Sequence, residues 1–102
     1  MQTQRMLELA ARAAGYSPAR VTDDGVVLLR GIRVKWNPLE DDGDALRLAV
    51  AVPSLDLRWV IAAAWQMHDT PVERGAYVRL KIVEAAADME AMKEMGDVLV
   101  RE

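Results

Sequence analysis

Four carboxylates stand close together at Glu40, Asp41, Asp42 and Asp44, and carboxylate oxygens are the ligands that hard divalent cations gather in number. The run lacks the oxygen spacing of a calcium loop, and Gly43 sits inside it. Carboxylates directly ahead of an apolar segment also suit the start of a helix, where they accept hydrogen bonds from free backbone N–H groups and meet the positive end of the helix dipole. Capping and turn formation account for the cluster better than a metal does, and neither a metal nor any other cofactor is expected. Arg47 lies one helical turn beyond Asp44, within reach of an exposed ion pair.

His68, the only histidine, neighbours Asp69, and a histidine oriented by a carboxylate is the beginning of an acid–base site. Adjacency in sequence does not put that carboxylate on a ring nitrogen. The only serines, Ser17 and Ser54, lie outside any Gly-x-Ser-x-Gly elbow, and no glycine-rich phosphate loop is present. The chain has no cysteine, which removes thiol nucleophiles, thiolate metal sites and disulfides together and fits a reducing cytoplasm. A non-enzymatic role is the expectation.

Arg30, Arg33 and Lys35 precede Trp36, a basic strand with an aromatic neighbour of the kind found on some nucleic-acid surfaces. The net charge of −3 and the pI near 5.1 oppose a polyanion, so a solvated sheet edge is the plainer reading. The candidate binding residues are Arg30, Arg33, Lys35, Asp41, Asp42, Asp44 and Arg47. A protein partner, or a second copy of the chain, is the leading occupant, with a ligand or nucleic acid as the alternative.

The elements that must position these residues can be read from the pattern. A chain of 102 residues, 52% hydrophobic and 28% charged, is expected to form one domain around one core. Thr3 is placed to cap a helix with Met6, Leu7, Ala10, Ala11, Ala13 and Ala14 on its apolar side, and Gly15 to stop it. Arg20 to Thr22 and Val26 to Leu29 flank Asp23-Asp24-Gly25 as a hairpin, and a third strand places Ile32, Val34 and Trp36 on one face. Leu46 to Val52 fits helix and strand equally by period; the acidic entry tips it to helix, which Pro53 ends.

Leu55, Leu57, Trp59, Ile61 and Ala63 alternate with other residues and predict a strand running toward Met67. Val78, Ile82, Ala85, Met89 and Met92 then form a helical stripe stopped by Gly96, after which residues 97–102 fray or add a short strand. Without phenylalanine, the rings of Trp36 and Trp59 are expected in the core. The methionines at 89, 92 and 95 suit a core or a self-association face. The N-terminus shows no secretion signal, and the longest apolar run, Trp59 to Trp65, falls far short of the ~20 residues that cross a bilayer.

The segment Trp36-Asn37-Pro38-Leu39-Glu40-Asp41-Asp42-Gly43-Asp44-Ala45-Leu46-Arg47-Leu48-Ala49-Val50 resembles the phage ABA sandwich domain family of small phage and prophage proteins. The N-terminal helix and the alanine-rich helix over 78–87 resemble its flanks. The resemblance implies an α+β fold in which a small sheet of about three to five strands is sandwiched between helices (layered α/β/α), in the order helix, hairpin, helix, strand or strands, helix. It also supports the helical reading of 45–52. The stretch Trp59 to Met67 departs from the family pattern, being more apolar and without a clear turn. The resemblance implies a phage or prophage accessory protein in the host cytoplasm and brings no catalytic residues. Apolar residues on two sides of the last helix, Val78, Ile82, Met89 and Met92 on one and Leu80, Val83 and Ala87 on the other, suggest a homodimer through that helix.

Overall fold

The computed structural model describes residues 2–30 and 32–101, with side-chain surroundings given for all of these except 29, 30, 32, 33 and 97–101. Helix α1 (Thr3–Ala13) buries Met6, Leu7, Leu9, Ala10 and Ala11. Its N-cap is Gln2, with no side-chain capping bond, so Thr3 is the first helical residue and not the cap. The stop is as expected: Gly15 takes φ +83°, and Tyr16 N–H donates to Ala11 O while Gly15 N–H donates to Arg12 O, both at 2.9 Å. That pair of bonds closes a Schellman turn, whose left-handed residue is cheapest as glycine.

Strands β1 (Pro18–Thr22), β2 (Gly25–Arg30) and β3 (Ile32–Trp36) form an antiparallel sheet in the order β1-β2-β3. The hairpin turns through Asp23 and Asp24, with Thr22 paired to Gly25. Gly25 has φ +138°, and a Cβ there would lie 2.9 Å from the Trp36 carbonyl oxygen, so the third strand can run alongside only because this position has no side chain. Val26 faces Trp36 across the β2–β3 ladder, and both are buried. Trp36 meets Tyr16 edge to face, with centroids 5.7 Å apart, and is the core anchor the sequence suggests.

Helix α2 (Asp42–Val50) confirms the helical reading of the acidic entry. Asp41 is its N-cap and accepts from the Asp44 N–H, and the helix closes at Ala51, before Pro53. Helix α3 (Leu57–Met67) overturns the expected strand. Asp56 caps it by accepting from the Arg58 N–H at 3.0 Å, and three consecutive alanines, Ala62 to Ala64, favour helix. In a segment that is apolar at almost every position, period-2 alternation coexists with the stripe Leu57, Ile61, Ala64 and Trp65, and alternation alone does not decide. Trp59 is consequently 74% exposed and not a core residue.

Helix α4 (Pro71–Arg101) is longer than its stripe suggested at both ends. Thr70 accepts from the Glu73 N–H at 3.1 Å and its hydroxyl donates to the Glu73 carboxylate at 3.0 Å, a side-chain N-cap with proline in the favoured first position. Gly96 does not stop the helix. Its φ is not positive, and a glycine ends a helix by taking the left-handed conformation; inside one it costs only about 1 kcal/mol.

The result is an α+β fold with a small sheet and helices. Its central contact is α1 on α4; α1 also covers β1 and β2, while α2 and α3 pack on α4. Val83, Ala86 and Ala87 of α4 are buried in the same core as α1. Val83 and Ala87 are therefore closed off in the chain's own core and are not free to form a dimer patch, while Leu80 is half-buried beside them. Among the described residues, no helix is long and apolar enough to cross a membrane.

Candidate functional site

The acidic entry to α2 is a structural joint. Asp41 caps the helix. Asp44 accepts the Asn37 N–H at 3.0 Å and the Arg47 guanidinium at 2.7 Å, and the hydrogen bond that Arg47 donates to Asp44 raises the Arg47 pKa above its ordinary value. Asp42 reaches across to Arg79 of α4 at 2.7 Å. Asn37 is buried at the centre of the joint, where its amide donates to Asp24 O at 2.9 Å and accepts the Leu39 N–H at 3.0 Å. Hairpin tip, β3 and α2 are thereby tied together. Among the described residues no three histidines or carboxylates come together as a metal site.

Of the basic candidates, Lys35 is exposed on the sheet and borders a depression with Glu40, Asp41 and Asp44. The side chains of Arg30 and Arg33 lie outside the described residues. Arg20, Val27 and Lys35 stand in register across the three strands. His68 is not joined to Asp69: its Nδ1 lies 3.5 Å from Glu73 Oε2 and its ring packs on Tyr77. Beside α1, a polar depression of about 540 Å³ runs past Glu8, Arg12 and Tyr16, but Arg12 there is already paired with Glu8 and Glu94.

The feature the sequence reading missed is an open groove of about 420 Å³ between α2, α3 and α4. Since α2 and α3 each pack chiefly on α4, a trough is left between them. Leu46 contributes from α2, Ile61 and Trp65 from α3, and Val78 and Ile82 from α4. Leu46 is 61% exposed, Ile61 46% and Trp65 63%. Only Asp42, Arg74 and Arg79 bring charge to its lining. The signal was present in the sequence: Leu57, Ile61, Ala64 and Trp65 follow helical spacing, but the same residues also satisfied alternation. No family model, no curated protein and no solved structure matches the chain.

Proposed function

We propose that this chain is a non-enzymatic interaction module, a small phage or prophage accessory protein working in the host cytoplasm, and that it binds a protein partner through the α2–α3–α4 groove. The observation that carries the reading is the groove itself. Leu46, Ile61 and Trp65 leave large apolar surface in water beside one continuous trough, and such patches on a small domain mark docking surfaces. Trp and Arg side by side at such a surface are the residue types that dominate binding energy. The phage setting is supported by the resemblance over residues 36–50.

Photo-crosslinking in the producing host tests the docking reading. A benzophenone side chain at Ile61 is expected to give a discrete covalent adduct that is lost when Leu46→Glu is added, while the same group at exposed Asp23 gives none. An adduct of twice the chain's mass identifies a second copy as the partner. No adduct from Ile61, or the same pattern from both positions, overturns the reading.

A further inference from the structure

Two arginines of α4 overlook the groove, and they differ in what is left for them to bind. Arg79 is spent: Nη1 meets Asp42 at 2.7 Å and Nε donates to Leu39 O at 2.8 Å. Arg74 donates Nε to His68 O at 2.9 Å and lies 3.5 Å from the Trp65 ring centroid, and among the described residues no carboxylate stands within ion-pairing distance of it. Stacking and the backbone bond hold the guanidinium in place, so little side-chain entropy remains to be lost when it is engaged. Its remaining N–H groups are therefore a preset, uncompensated positive site at the edge of an apolar trough.

Docking a wholly apolar surface here would strip water from that charge without replacing it, and a basic surface would be repelled. A carboxylate offers the planar match that a guanidinium takes best. We propose that the groove recognises a segment of a partner protein carrying a carboxylate among apolar side chains, and that Arg74 is the residue that pairs with the carboxylate. This deepens the docking reading and rests on it. The chain as a whole is acidic, so the preference is set locally by Arg74 and not by net charge.

Decanoate carries the two recognised groups, an apolar chain and a carboxylate, in the smallest form. The full chain bearing Trp59→Tyr, so that exposed Trp65 dominates the change in emission, is titrated with decanoate and with decanol, and backbone amide shifts locate the binding. The expected result is saturable binding of decanoate with shifts at Leu46, Ile61 and Val78, about tenfold tighter than decanol, as one charge-assisted hydrogen-bonded pair implies. Arg74→Gln should abolish the tenfold preference, so that this variant binds decanoate no more tightly than it binds decanol. Equal affinity for the two probes, or no binding in the groove, overturns the role of Arg74; the crosslink from Ile61 separately decides whether the groove docks a protein. A stoichiometric alkyl carboxylate extracted from protein purified without detergent would make the occupant a lipid and overturn the assignment to a protein segment.

Discussion

The two sides of α4 are both apolar and end in opposite states. Toward α1, the small side chains Ala86 and Ala87 with Val83 meet Leu7, Ala10 and Ala11 in a closed core. The seam is laced at its rim by Arg5 and Arg12, each paired with both Glu8 and Glu94. Toward α2 and α3, the same helix offers Val78 and Ile82, but two short helices cover it incompletely and leave Trp65 and Leu46 in water. Small residues let one pair of helices approach along their length, whereas bulky ones on two separate helices leave a trough. Apolar composition therefore says that a surface will be covered, and packing geometry decides whether its own chain covers it.

The sharpest way to break this contrast is to remove one tryptophan from each region. Trp36→Ala empties a buried site and should cost about 3 to 5 kcal/mol. Trp65→Ala removes a ring that is 63% exposed and should change stability by about 0.5 kcal/mol or less. Urea midpoints of the two variants are the measurement, and equal losses would mean that the groove belongs to the core.

A smaller effect is expected at the joint that connects the sheet to α2. Asn37→Ala deletes the bonds to Asp24 O and Leu39 N–H and should cost about 1 to 3 kcal/mol, because buried partners are left unpaired. Amide exchange should quicken at the Asp23–Asp24 turn and the start of α2 while the α1–α4 seam keeps its protection. Uniform loosening of both regions would contradict a local joint.

The smallest effect concerns the cap of α3. The hydrogen bond from Arg58 holds the Asp56 carboxyl below its ordinary value of 3.8. A depressed folded value means that the contribution is present above the unfolded value and is lost as pH falls through the folded one. Asp56 is solvent-facing, so the loss is slight and confined to acid below about pH 4. Carboxyl carbon shifts followed by NMR should show Asp56 titrating below its ordinary value of 3.8, and Asp56→Asn should flatten the acid limb of stability slightly. A midpoint at or above 3.8 would show that Arg58 does not hold the Asp56 carboxylate at the start of α3.

Local signals determined much of this fold from sequence alone. Gly15 required a left-handed stop, Asp23-Asp24-Gly25 a tight turn, and Asp41 with Pro53 bracketed α2 at both ends; each acts through bonds among residues close in the chain. Trp36 was legible as an anchor because its strand ends in a sharp break. The identity of α3 was not legible by period, since a segment apolar at nearly every position satisfies helix and strand templates together. Tertiary structure alone decided the candidate site. Whether Val83 or Trp65 meets water depends on which helix lies across α4, and whether Arg74 or Arg79 keeps a free charge depends on Asp42, far away in sequence and brought close by folding. Pairing across that separation is fixed by three-dimensional packing, about which the spacing of residues along the chain carries no information.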